Sequence, residues 1–291
     1  MARRDMTGLV GTVATARAGG ADIRFWRTGT GAPLVLLHPL RAQLEYFLPL
    51  QAELHPNTFE LIVPDLPGHG LSTAPPTTYT AGYFTDAVAE LLDVWDVRDA
   101  TVAGESIGAS IALGLAAQRN PRVRRVIALN PYDYGNRGGI RRSSLFGNAV
   151  FTGMLWPGIG PVIARVRHPS VLRGVLGGGL HDPRLLPHEL VADLRTAGGL
   201  PGHARAFRSL MLNWETWIAA RGRFAEIEVP VLLGHGQYDW SKPAERDANL
   251  RAIPGVQAVS LPGCGHFSAL ERPRAVAGLI EPETVQANAE P

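Results

Sequence analysis

Cysteine and lysine are almost missing from this chain of 291 residues. Cys264 is the single cysteine, so no disulfide can close within the chain, and a cysteine-based metal cluster is excluded. Lys242 is the single lysine; nearly every cation is arginine, which reads as a general bias toward Arg, Ala, Gly and Pro rather than a functional device. Net charge is scarce too. With a formal charge of +2 and 19% charged residues, nothing at the whole-chain level asks for nucleic acid or an acidic partner. No stretch offers about 20 uninterrupted apolar residues, so a spanning helix and stable membrane insertion are not expected. The opening Met1-Ala2-Arg3-Arg4-Asp5-Met6 carries a basic pair with no apolar run behind it, against a signal peptide or twin-arginine signal. The expectation is a cytoplasmic protein. Internal repeats and low-complexity tracts are also missing, and oligomeric state is not legible.

What is present is an alternation of short apolar runs and helical spacing. Hydrophobic residues make up 45% of the chain, ordinary for a globular protein. Thr12 to Arg17 and Ala21 to Arg27 read as strands joined by a Gly19-Gly20 turn. Leu34 to Leu37, Leu61 to Val63, Ala100 to Ala103 and Val126 to Leu129 read as strands buried on both faces. Between them, Ala42 to Leu54 and Ala81 to Trp95 carry helical periodicity; in the second, Phe84, Val88, Leu91, Leu92 and Trp95 share a face. Pro131 to about Arg221 shows no convincing strand, and strand character returns at Val229 to Leu233 and Val256 to Leu261, with a helix at Ala244 to Ala252 between them. The pattern predicts an α/β fold with a mostly parallel central sheet flanked by helices. The expected division is a core part over 1–130, a mainly helical insertion over 131–222 and a second core part over 223–291. The tail from Pro282 reads as frayed.

Gly104-Glu105-Ser106-Ile107-Gly108 is a G-x-S-x-G motif set between a predicted strand and a predicted helix. A serine that must project its hydroxyl from a sharp strand-to-helix turn strains its backbone and leaves little room beside it, hence glycine at 104 and 108. The backbone N–H of Ile107 then stands at the helix start, where a developing oxyanion would be stabilised.

This motif, Asp65-Leu66-Pro67-Gly68-His69-Gly70-Leu71-Ser72, and the late Gly263-Cys264-Gly265-His266-Phe267 together resemble the α/β-hydrolase superfamily outside the insertion. The resemblance implies a serine, acid, histidine order: Ser106 as nucleophile, His266 as base and Asp239 as the orienting acid. Asp133, after the strand Val126 to Leu129, is the competing acid. The resemblance makes the Asp65 to Ser72 segment, His69 included, a structural loop. It places the second oxyanion donor after the third strand, where His38-Pro39-Leu40-Arg41-Ala42-Gln43 departs from the usual His-Gly. Pro39 removes one donor, so Leu40 N–H is expected to pair with Ile107 N–H. Arg41 and Gln43 then stand near the site mouth and can bind a substrate carboxylate or carbonyl.

The insertion is expected to cover the nucleophile. From Pro131 to His181 it carries Arg137, Arg141, Arg142, Arg165, Arg167 and Arg173 against Asp133, with Leu145, Phe146, Val150, Phe151, Met154, Leu155 and Trp156. This suits an apolar acyl or ring substrate, with or without a negative group, and Trp156 as a contact; packing and solvation explain the same residues equally well. Trp214 and Trp217 read as packing, and Cys264 as a small buried residue. The expected function is a carboxylesterase-like serine hydrolase acting on a small, carbonyl-containing molecule through an acyl-enzyme, with no metal or organic cofactor implied. Acyl transfer, cofactor-free perhydrolysis or haloperoxidation, carbon–carbon bond hydrolysis and a ligand-binding protein on the same fold remain open.

Overall fold

The computed structural model describes residues 11–55, 57–134 and 139–281. The N-terminal basic pair, Arg137 and the tail from Pro282 lie outside them. Eight strands form one sheet: β1 (Thr12–Ala18), β2 (Ala21–Thr28), β3 (Ala32–Leu37), β4 (Phe59–Pro64), β5 (Ala100–Glu105), β6 (Val123–Leu129), β7 (Val231–Gly236) and β8 (Gln257–Leu261). Their spatial order is β1-β2-β4-β3-β5-β6-β7-β8. β2 pairs antiparallel with β1 and β4, and every pairing from β4 to β8 is parallel. The β1–β2 hairpin turns through Gly19 and Gly20, both at positive φ, as a two-residue turn that follows the twist of its strands demands.

Alternate residues of the central strands feed two core layers. On one side Val35, Ile62, Val102 and Val126 meet α2 (Ala81–Val94) and α3 (Ile107–Ala117); on the other, Leu34, Leu36, Leu61, Val63 and Ile127 meet α1 (Leu48–Glu53) and residues of the C-terminal helices. α2 starts where the Thr80 hydroxyl accepts from Tyr83 N–H, and it buries Phe84, Val88, Leu91 and Leu92, the face expected from spacing. The single helix expected over Ala42 to Leu54 is instead a three-ten turn at Leu44–Phe47 followed by α1. Pro49 explains the break: it has no N–H to bond back into the preceding turn, so it opens a new helix near its N-terminus.

Among the described residues the connection from β6 to β7 holds no strand. It consists of α4 (Leu145–Leu155), α5 (Gly160–Ile163), α6 (Pro169–Gly177), α7 (His188–Ala197), α8 (His203–Leu212) and α9 (Glu215–Ala220), with three-ten turns between and beside them. α10 (Pro243–Ala252) follows β7, and α11 (Ser268–Glu271) and α12 (Pro273–Ile280) follow β8. Lys242 stands exposed just before α10, where its backbone N–H donates to Glu245 Oε2 at 2.7 Å. Trp217 is buried against Phe84 and Tyr132, a packing role. No helix among the described residues is long and apolar enough to cross a membrane.

Candidate active site

Ser106 stands where β5 stops and α3 begins, with φ 58° and ψ −118°. A side chain other than hydrogen is strained there, and the surroundings hold it: Ser106 N–H donates to Leu129 O at 2.9 Å, and Ser106 O accepts from Ser110 and Tyr132 N–H, each at 3.1 Å. The flanking glycines are demanded by close approach. A Cβ on Gly104 would stand 2.3 Å from the Gly108 carbonyl, and one on Gly108 would stand 2.0 Å from Leu37 O. Helix α3 is thus pressed against the ends of β3 and β5. Ile107, its first residue, has an N–H that no carbonyl of its own helix can reach.

His266 and Asp239 come to this serine from the ends of β8 and β7. His266 Nε2 lies 2.9 Å from Ser106 Oγ, and its Nδ1 lies 2.5 Å from Asp239 Oδ1. These partners assign the tautomer: Nδ1–H donates to the carboxylate, leaving Nε2 to accept from the serine hydroxyl. All three are buried, at 3%, 1% and 8% exposure for Ser106, His266 and Asp239. Burial alone would raise the Asp239 carboxyl, but His266 and the Ser241 donors hold it well below the carboxylate range. Its second oxygen accepts from Ser241 N–H at 2.9 Å, from the Ser241 hydroxyl, and from Tyr134 OH at 3.1 Å. The competing acid, Asp133, faces elsewhere: its Oδ2 lies 3.5 Å from Arg221 Nε.

The sequence reading missed the groups that fix the imidazole. Trp240 stacks on His266, centroids 4.0 Å apart and planes 18° from parallel, while its own N–H donates to Gly178 O at 3.1 Å. His266 N–H donates to Gly179 O at 2.6 Å, so the β6–β7 connection touches the base directly. Beneath, Asn130 Nδ2 donates to His266 O at 2.9 Å and to Ser268 Oγ at 2.8 Å, while its Oδ1 accepts from Gly236 N–H at 2.9 Å. Glu105, wholly buried, accepts from Tyr46 OH and from Ser268 N–H. Burial pushes its carboxyl above the usual range against these donors. A glutamate closing an otherwise buried strand was the available signal for this network.

The loop after β3 is fixed by His38, whose Nδ1–H donates to Pro39 O at 2.8 Å while Nε2 accepts from Leu66 N–H at 3.0 Å. Asp65 accepts from Leu44 N–H, Leu71 N–H and the Arg24 guanidinium, and a Cβ on Gly70 would stand 2.2 Å from its carboxyl carbon. His69 donates Nδ1–H to Pro67 O at 3.0 Å inside the same loop, away from the triad contacts. Leu40 is buried and lines a cavity with Phe267, Leu176 and Leu190. Arg41 shares that cavity and lines two more, all three small, one of them bounded by Phe151, Met154 and Leu172. The triad side chains line none of the three; Leu40 and Phe267 bring the second to within one residue of His266 and of the loop facing Ser106. Gln43 donates instead to Glu45, part of the Arg24–Glu45 ion pair, and Trp156 is 60% exposed at the end of α4; neither lines these cavities. Cys264 is buried, and burial pushes its thiol up to about 12.

Residues 34–279 match the model of the alpha/beta hydrolase family. The chain belongs to the α/β-hydrolase family. It is 27% identical over 269 residues to an uncharacterized protein of Mycobacterium tuberculosis, covering 87% of this chain and 75% of that one. It is 25% identical to 2-hydroxymuconate semialdehyde hydrolase of a Pseudomonas strain, covering 94% of this chain and 93% of the relative. Among solved structures, the enol-lactonase of Burkholderia xenovorans superposes with a TM-score of 0.72 at 25% identity, over 95% of this chain and 100% of the other.

Proposed function

We propose that this α/β-hydrolase-family chain is a serine hydrolase that cleaves a small, largely apolar carbonyl compound through an acyl-enzyme. The observation that carries this reading is the continuous Ser106–His266–Asp239 relay on a strained turn. Ser106 Oγ attacks the carbonyl carbon as His266 Nε2 takes its proton, and Asp239 holds the imidazolium that forms. The tetrahedral oxyanion sits between Ile107 and Leu40 N–H. His266 then gives its proton to the leaving group, and water, deprotonated by the same nitrogen, releases the acyl group. The helices between β6 and β7 act as the cap, supplying the apolar walls at Leu176, Leu186 and Leu190. Relatives named for hydrolysing a semialdehyde and an enol-lactone support a reactive carbonyl as the target.

A fluorophosphonate probe with adduct mapping tests the nucleophile. Label should appear on Ser106, be absent from Ser106→Ala, and form at least about 100-fold more slowly in His266→Ala. A folded protein that takes no label, with no turnover of any ester, lactone or carbon–carbon substrate, would favour a ligand-binding role. Product partitioning with added alcohol or peroxide separates hydrolysis from acyl transfer and perhydrolysis.

A further inference from the structure

The arginines of the β6–β7 connection that could reach inward are mostly spoken for. Arg142 makes a bidentate pair with Glu245 and also donates to Trp240 O. Arg221 pairs with Asp133, Arg208 donates to Met154 O, and Arg173 contacts His188. Arg41 is different. It has no ion pair and no hydrogen bond among the described residues, yet it lines three cavities, one of which reaches Leu40 and Phe267 beside the site. Its guanidinium carbon lies 4.5 Å over the centre of the Phe207 ring, which orients the group without neutralising it. His69 and His203 share one of its cavities, and burial lowers the pKa of both, so they are neutral near pH 7. Burial alone, with no carboxylate to offset it, pushes Arg41 down to about 10. An isolated cation is costly to enclose unless an anion joins it.

Its backbone points the same way. Arg41 holds φ 59°, a left-handed conformation that is strained for any side chain, and such strain gathers where a group must be aimed. It directly follows Leu40, whose N–H would hold the oxyanion. Consecutive Cα atoms are about 3.8 Å apart, so an arginine head can meet a group several bonds from the scissile carbonyl. Two of the cavities around it are otherwise apolar, with Leu176, Leu194, Phe151 and Met154 among their walls, while the third also carries His69 and His203.

We propose that Arg41 is the anion-recognition residue of this site, and that the acyl portion of the substrate ends in a carboxylate that docks on its guanidinium in a fork. The inference rests on the serine-hydrolase reading and adds the substrate class: a half-ester, lactone or ketone bearing a free acid separated from the reacting carbonyl by a short apolar chain. A charge-assisted, bidentate contact in a cavity changes selectivity by about 10- to 100-fold.

The test compares two chromogenic esters with the same acyl chain, 4-nitrophenyl hydrogen adipate and its methyl-capped counterpart, methyl 4-nitrophenyl adipate. The readout is the ratio of their kcat/KM values. The free acid should be preferred by at least about 10-fold in the natural protein; Arg41→Met should abolish that ratio, and Arg41→Lys should keep part of it. A wild-type ratio near one or below, in a protein whose Ser106 takes the fluorophosphonate, overturns the role of Arg41 and leaves the nucleophile standing. If neither ester turns over, calorimetric titration of monomethyl adipate decides. Saturable binding lost in Arg41→Met supports the anion site even where the hydrolase reading fails, and no binding or equal binding overturns it. Should Arg41→Met not fold, Arg41→Lys carries the comparison: a ratio unchanged from wild type refutes the forked contact.

Discussion

The backbone of Ser106 holds a conformation that costs about 1–3 kcal/mol, and glycine would relax it. Ser106→Gly should therefore unfold at higher denaturant than Ser106→Ala, by about 1 kcal/mol; coincident urea transitions would show that the turn stores nothing. Gly108→Ala should do the reverse, costing about 3 kcal/mol or more, because the added methyl meets the Leu37 carbonyl at 2.0 Å. Asp133 offers a pH-dependent case. Burial pushes its carboxyl up to about 6 from an ordinary 3.8, against the pull of Arg221. The folded state thus binds the proton more tightly than the unfolded chain between roughly pH 4 and 6, so this residue's contribution to stability falls as pH rises through that window. Asp133→Asn should be more stable than the natural protein at pH 7.5, by about 1–2 kcal/mol after allowing for the amide's own unmet hydrogen bonds. The advantage should vanish near pH 4, as paired thermal melts at the two pH values would show. Ser106, Asp239 and His266, which the structure brings into contact, could be named because a tight turn and a glycine-flanked loop leave local traces and the resemblance implies the order serine, acid, histidine. Arg41 could be named but not singled out: its lack of a counter-charge depends on segments more than 100 residues away, and pairing of that kind leaves no local pattern.

At the level of elements, His266 sits on a loop whose position is set from below. Asn130, just past β6, ties His266 O, Ser268 Oγ and Gly236 N–H together. Asn130→Ala should cost about 2–3 kcal/mol and slow fluorophosphonate labelling of Ser106 by more than the stability loss explains, since the imidazole would no longer be held in line. Labelling at the wild-type rate in a folded variant would show that Trp240 stacking alone suffices. The central strands were legible because short apolar runs buried on both faces have few alternatives; all eight strands appear near where expected, several of them longer, with β7 beginning two residues and β8 one residue later. The helix over Ala42 to Leu54 was not, since apolar periodicity continues through Pro49 while the hydrogen-bond ladder does not. Residues such as Tyr134, Asn130 and Trp240 escaped notice because they act on the site from connections whose path no periodicity encodes.

Taken whole, the molecule gathers its chemistry along one edge of the sheet. Leu40 follows β3, Ser106 follows β5, Asp239 follows β7 and His266 follows β8, so parallel strands deliver groups up to 226 residues apart to their common carboxyl ends. The β6–β7 connection touches that edge through Gly178 and Gly179, and Arg142 fastens it to α10 through Glu245. Arg142→Met should leave the sheet intact while making the connection more readily cut in limited proteolysis; an unchanged digestion pattern would show that apolar packing holds it unaided. The exposed lysine ahead of α10 has a practical counterpart. Apart from the chain's amino terminus, amine-directed reagents have a single address on this protein, three residues past Asp239. Tethering the protein to an aldehyde or activated-ester support would give a nearly uniform orientation, with the attachment placed on the loop that carries Asp239. Any loss of rate on such a support would therefore report on the mobility of that loop.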